Sequence, residues 1–230
     1  MKVTTLAKRG DMELANMYVL GEEGEPAVII DLSYNDNRRV EEYCAKHHSG
    51  IAGIFLTHGH YDHIAGLNDL SDGFDAPVII HMDDEECLHD PYLNVSDGLF
   101  GREFKLSREL AIYRCEDEDE IRVGAHRIKN EAGEEITVGG YEFHVIHTPY
   151  HTAGSCCFYL PEHKILFSGD SLFHLGVGRS DLPGAKPRLF ASSMKKLMAL
   201  PEDVVVYPGH GPKTTIGTEL RYNEYLKNLR

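Results

Sequence analysis

The chain has 230 residues, 42% of them apolar, and carries a net charge of −14. That length fits one large domain or two small ones, and no apolar run approaches the ~18 residues needed to cross a bilayer. The acidic balance speaks against a nucleic-acid binder, which needs a basic surface to displace phosphate counterions, and against an anionic membrane surface; a small anionic substrate stays open where bound metal dominates the local field.

In chain order, MKVTTLAKRGDMELAN lacks the continuous apolar core of a secretory signal. The five cysteines, Cys44, Cys87, Cys115, Cys156 and Cys157, are odd in number and form no C-x-x-C, so reduced thiols and a cytoplasmic location are the expectation. AVIID at 27–31 reads as the first buried strand. After Asp36, a candidate N-cap, Val40, Tyr43, Cys44 and His47 recur at helical spacing. AGIFLTH at 52–58 and PVIIH at 77–81 read as further strands. The stretch that follows is polar and weakly periodic, and an insertion at about 88–134 within a single domain, 1–230, is expected. Within it, Glu116 to Glu120 reads as a solvated loop. EDEIRVGAHRI at 118–128 is echoed by GEEITVGGYEF at 133–143, each copy hairpin-like. YEFHVIHT at 141–148, KILFSGD at 164–170 and DVVVYPGH at 203–210 complete the strands, while SCCFYL reads as packed thiols. Leu189, Met194, Leu197, Met198 and Leu200 mark a second helix, and Thr218 to Leu229 a third. Strands alternating with helices argue for α/β layering.

Five strands stop at side chains able to bind metal: His58 with its neighbours, His81, the His147–His151 turn, Asp170 and His210. Strand ends along one sheet edge lie close in space, and in open α/β sheets that edge is where ligands usually bind. THGHYDH at 57–63 gathers His58, His60, Asp62 and His63, and imidazole nitrogen and carboxylate oxygen are the donors that zinc-like ions take. In a tight turn leading into a helix, His58 and His60 can face one ion while Asp62 and His63 face another. The plain alternative is surface histidines on a loop. HTPYHTAGS adds His151, and FSGD adds Asp170, although an Asp there is more often a cap or turn former. PGHG sets His210 between glycines, where the backbone turns sharply. Together these seven residues suffice for two ions with a shared carboxylate. His81 is expected near the site but outside the ligand set, and His147 either supports it or is a strand residue. His47, His48, His89, His126, His144, His163 and His174 are expected on the surface or in packing.

In this order, THGHYDH, TPYHT, SGD and PGHG resemble the metallo-β-lactamase superfamily. LGVGRSDLPG at 175–184 and VVYPGHGPKTTIGTEL at 205–220 resemble its glyoxalase II-like (hydroxyacylglutathione hydrolase-like) branch, so the likeness covers most of the chain except about 88–134. The resemblance implies an αββα sandwich, with two mixed β-sheets face to face and helices outside. It implies His58, His60 and His151 on one ion, Asp62, His63 and His210 on a second, Asp170 between them, and Asp31 as a structural residue. The cofactor implied is two divalent metal ions, zinc first, with iron or manganese as alternatives. Tyr150 replaces the usual glycine before His151, and its ring is expected to narrow or line the pocket; the loop after DLPG reads AKPR, without the acidic or small residues expected there. The segment at 88–134 is expected to overhang the site. The extra C-terminal helical segment of full-length glyoxalase II enzymes is not expected after the last motif, so broad thioester use is expected over tight glutathione selectivity.

The resemblance thus implies a dinuclear hydrolase of small acyl thioesters, S-acylglutathione among them, using hydroxide held between the ions. Asp62 and Asp170 are the candidate catalytic carboxylates. Arg179 is the candidate for a substrate carboxylate, because its planar fork fits one bidentately; the alternative is that it fixes its own loop through Asp181 or Asp170. The runner-up is a persulfide dioxygenase-like enzyme with one iron on His58, His151 and Asp170, a two-histidine, one-carboxylate set. An inactive metal-binding scaffold and a nuclease are weaker readings, the first opposed by the intact ligand set and the second by the acidic charge. Oligomeric state is not set by the sequence.

Overall fold

The computed structural model describes residues 1–6, 15–34, 38–129 and 135–229, without the side chains of 125–139 and 228. The expected Asp36 cap lies outside the described residues. The first sheet runs in the order β1 (Lys2–Thr5), β2 (Tyr18–Gly21), β3 (Ala27–Ile30), β4 (Ile51–Phe55), β5 (Val78–His81), β6 (Ile112–Cys115). Its first three strands are antiparallel and the rest parallel. The second sheet runs β12 (Thr214–Thr215), β11 (Val205–Pro208), β10 (Ile165–Gly169), β9 (Cys156–Leu160), β8 (Glu135–His147), β7 (Glu120–Lys129). It is antiparallel except where β10 meets β11.

Strand alternation builds the layers, because successive side chains leave a strand on opposite faces. Val28, Ile30, Phe55 and Ile79 of the first sheet meet Phe143, Val145, Phe158 and Phe167 of the second. Phe55 lies at the centre, its ring 4.3 Å from Phe143 and 5.0 Å from Phe158. Truncating it to Ala should cost ~3–5 kcal/mol. The opposite faces of the same strands are also buried. Ala27, Ile29, Ile54 and Ile80 pack against Val40 and Cys44 of α1 (Arg39–His47) and against Ile64 and Leu67. Leu166 and Val206 pack against Met194 and Leu197 of α3 (Phe190–Met198) and Ile216 of α4 (Ile216–Tyr222). Burial on both faces is why these strands read as continuous apolar runs. The expected αββα sandwich is therefore the fold. Cys156 and Cys157 divide between its layers, Cys156 in the intersheet core and Cys157 under the helices, and all five cysteines are buried and free.

Three sequence readings are corrected by the fold. The region about 88–134 is not simply an addition beside the core, because β6 and β7 fall within it and form the edge strands of the two sheets. The described run between Leu88 and Ile112 carries no strand or helix, and it packs onto the metal-motif helix α2 (Tyr61–Ile64). There Asn94 O accepts from Tyr61 N at 2.8 Å, and the Tyr61 ring lies 5.0 Å from Phe100. The echoed segments are not two hairpins. They pair with each other, from Glu120 opposite His144 to Lys129 opposite Glu135. Nor does the last helix run unbroken, since α4 ends at Tyr222 and a 3-10 turn takes over at Glu224–Leu229. No helix among the described residues is long and apolar enough to cross a membrane.

Candidate metal centre

One edge of the sandwich gathers the chemistry. β4 ends at Phe55 and the chain turns through His58 and His60 into α2, which carries Asp62 and His63. His151 follows β8, Asp170 follows β10 directly, and His210 follows β11. All seven expected ligand residues come together there. His58 Nε2 and His60 Nδ1 are 3.1 Å apart, and His151 joins them within a 4.8 Å donor cluster. Asp62, His63 and His210 form a second cluster. Asp170 stands between the two. Its Oδ1 lies 3.3 Å from His63 Nε2, while its Oδ2 lies 3.5 Å from His151 Nε2 and 3.7 Å from His210 Nε2.

Two of the imidazoles are aimed by a partner on the other nitrogen, the usual way a metal-facing histidine is held. His63 Nδ1 bonds Asp31 Oδ2 at 2.8 Å, and Asp31 also accepts from Thr57 N at 2.7 Å. Asp31 adopts φ 55°, a left-handed conformation that Asp tolerates better than most residues, and so turns its carboxylate under the site. His151 Nδ1 donates to Arg179 O at 2.6 Å.

The donor set fits divalent metal. His63 Nε2, His151 Nε2 and Asp170 Oδ1 are buried and make no hydrogen bond, a costly condition unless something else satisfies them. Burial, reinforced by neighbouring imidazoles, pushes His58 down and His60 down to about 3, leaving both neutral with a lone pair free. Burial opposes charge on Asp170 as well, but His63, His151 and His210 outweigh it and hold the carboxyl below its ordinary value. Close backbone approach is needed to build this cluster. A Cβ on Gly178 would lie 2.0 Å from Asp170 O, and one on Gly209 would lie 2.3 Å from Asp170 Oδ1.

Two expected substrate residues stand elsewhere. Tyr150 is 1% exposed; its ring packs edge-on to Phe190 and its hydroxyl donates to Ser171 O at 2.7 Å. It braces the backbone beside Asp170 and does not line a pocket, because its hydroxyl finds buried carbonyls to satisfy it. The Arg179 fork is engaged bidentately by Asp181 at 2.6 and 2.7 Å. The loop-fixing alternative therefore describes it, and its backbone carbonyl is what serves His151.

Sequence reasoning missed Asp84. It lies in the polar run MDDEE and is wholly buried. Oδ2 accepts from Gly59 N at 2.9 Å and from Thr152 Oγ1 at 2.7 Å, and Oδ1 accepts from Gly154 N at 2.6 Å. It thereby ties the His58–His60 turn to the His151 turn. Asp117, expected in a solvated loop, also holds structure together. Its Oδ1 accepts from His147 N at 2.8 Å and its Oδ2 from Lys196 Nζ at 2.5 Å.

A sandwich with a histidine–aspartate cluster at one edge defines a metal-binding class of protein. The chain matches the Metallo-beta-lactamase superfamily over residues 10–210 and belongs to it. It is 36% identical over 228 residues to an uncharacterized protein of Mycobacterium tuberculosis, covering 93% of each chain. It is 29% identical over 217 residues to the hydroxyacylglutathione hydrolase GloC of Haemophilus influenzae, again 93% of each. Among solved structures, the BLEG-1 B3 metallo-beta-lactamase superposes with TM-score 0.82 at 33% identity, covering 98% of this chain and 100% of that one. TTHA1623 in a di-iron-bound form superposes with TM-score 0.74 at 31% identity over the same shares.

Proposed function

We propose that the chain is a dinuclear metallohydrolase of small acyl thioesters. The observation that carries this reading is the position of Asp170, with one carboxylate oxygen toward His63 and the other toward His151 and His210. His58, His60 and His151 would hold one divalent ion, and Asp62, His63 and His210 the other, with Asp170 shared. Zinc suits the donors, and iron and manganese are alternatives, iron having a precedent in the di-iron form of TTHA1623. Bound there, the pair supplies Lewis acidity and a water acidified toward neutral pH. The protein's own part is positional. Asp31 and the Arg179 carbonyl fix His63 and His151, and Asp84 holds the two ligand turns in register. Asp62, whose Oδ2 lies 3.0 Å from His210 Nε2, would act first as a ligand and second as a proton relay. The likeness to GloC supports a thioester as substrate.

The test pairs metal counting with turnover. Protein loaded with zinc, and separately with iron or manganese, is assayed on S-acylglutathiones, on truncated neutral thioesters and on a β-lactam. Two ions per central site with thioester hydrolysis is the expected result. One iron with consumption of a persulfide and oxygen replaces the reading by the dioxygenase-like one. β-Lactam cleavage without thioester cleavage overturns the substrate class.

A further inference from the structure

A second cluster of metal-binding side chains lies outside the seven central residues. His81 closes β5 of the first sheet and His147 closes β8 of the second, so the pair spans the sandwich. Their rings stack 3.8 Å apart with 16° between planes. Donor atoms of His81, Asp83 and His147 all lie within 4.8 Å of one another. We propose that these three residues form a further site for a zinc-, nickel- or copper-type divalent ion, joining the ends of the two sheets.

Proton placement favours binding. A carbonyl only accepts, so His147 Nε2, 2.9 Å from Ala153 O, carries the proton and Nδ1 keeps its lone pair. This is the arrangement of a metal histidine steadied through its remote nitrogen. His81 Nδ1 accepts from Asp83 N at 3.3 Å, so it too is unprotonated, although an ion bound there would have to displace this long hydrogen bond, and Asp83 Oδ2 lies 4.0 Å away. His81 is 3% exposed, whereas the Asp83 side chain is about half exposed, which leaves the site a route from solvent and room for water to complete the coordination. Burial, with His147 alongside, lowers His81 to about 4, so at neutral pH no proton has to be displaced from it. The carboxylates of Asp117 and Asp119 act on the same ring and add negative potential. Two imidazoles and one carboxylate are the donor set that intermediate divalent ions prefer over calcium or magnesium. Lone pairs of stacked rings point in parallel, so closing on one ion requires a ring to tilt and the stack to open.

The site also touches the centre indirectly. His81 leads into the turn carrying Asp84, and His147 holds Ala153 beside the His151 turn. An ion there would clamp the two segments that Asp84 already ties.

The experiment uses the full chain, first saturated with zinc at the centre, desalted and counted by elemental analysis, then titrated with Cu2+. Calorimetry and electron paramagnetic resonance read the added ion, and a second elemental analysis checks that the central zinc remains. One further equivalent is expected, with coupling to two imidazole nitrogens. His81→Asn and Asp83→Asn should each weaken that equivalent, the former by at least the roughly 10- to 100-fold typical of lost metal-site partners, with central zinc unchanged. Asp83 is exposed, so Asp83→Asn tests the site even if His81→Asn does not fold. Absence of a further equivalent overturns the proposal. So does an equivalent indifferent to both substitutions or lacking two-imidazole coupling.

Discussion

Replacing Asp84 by Asn removes a charge and nothing else in outline, which makes it a sharp probe of how the two ligand turns are held. The carboxylate accepts from Gly59 N and Thr152 Oγ1 on one oxygen and from Gly154 N on the other. An amide has one accepting end. With its oxygen toward Gly59 and Thr152, the NH2 group confronts the Gly154 N–H; reversed, it confronts the Gly59 N–H and Thr152 loses its acceptor. Losing a hydrogen bond to a charged group costs ~1.5–3 kcal/mol, and a buried donor left unmade adds ~1–3 kcal/mol. Asn also relieves the burial of charge that raises the Asp84 pKa, so the net loss should fall near ~3 kcal/mol. For a domain of this size that corresponds to ~6–12 °C in Tm. Thermal melting of metal-free protein measures it. A chelator-competition titration should show the His58–His60–His151 site weakened more than the other, because Asp84 braces both turns of that site. The neighbouring Asp83→Asn is the control and should leave the metal-free Tm within ~1–2 °C. A melting temperature and metal affinity unchanged in Asp84→Asn would refute the clamp.

Gly178→Ala should abolish tight metal uptake, since its Cβ would lie 2.0 Å from Asp170 O and 3.1 Å from His151 Nδ1, whereas Gly98→Ala, with open space around it, should be silent in the same uptake assay. Asp170→Asn should lower affinity at both central positions and turnover with it, because a neutral amide is a poor substitute for a shared carboxylate; full loading by elemental analysis would make Asp170 a turn residue only. Arg179→Ala should change kcat/KM for acidic and neutral thioesters alike and by less than ~3-fold, with a stability change within ~0.5 kcal/mol, because its ion pair with Asp181 is exposed. A selective rise in KM for acidic thioesters would return the guanidinium to substrate binding. His81 is lowered from 6.5 to about 4 by burial and His147; the unfolded chain therefore takes this proton first. Its contribution to stability is full above pH 6.5 and drains away as pH falls toward 4. Denaturant titrations of metal-free protein between these limits should show a steeper loss for wild type than for His81→Asn.

Much of this protein is written locally. Runs such as AVIID and KILFSGD announce strands buried on both faces because they never alternate with polar residues, and each ends at the residue the site uses. THGHYDH places four donors in one turn, so their chemistry is readable before any fold is known. Sequence motifs thus pointed to the layered class and the seven candidate ligands, and the resemblance they carry implied how those ligands group. What it did not determine depends on partners brought from far along the chain. The echo in β7 and β8 is a matter of which strand edge each arm finds, which composition does not encode. Tyr150 and Arg179 have the right chemistry to touch a substrate, but their polar groups are taken by Ser171 O and Asp181, an outcome of packing and not of residue type. Asp84 looks like any acid in MDDEE. Only the sandwich, by closing β5 against the His151 turn, buries it where three donors 25, 68 and 70 positions away need one acceptor, and those three hydrogen bonds offset part of the cost of burying the carboxylate.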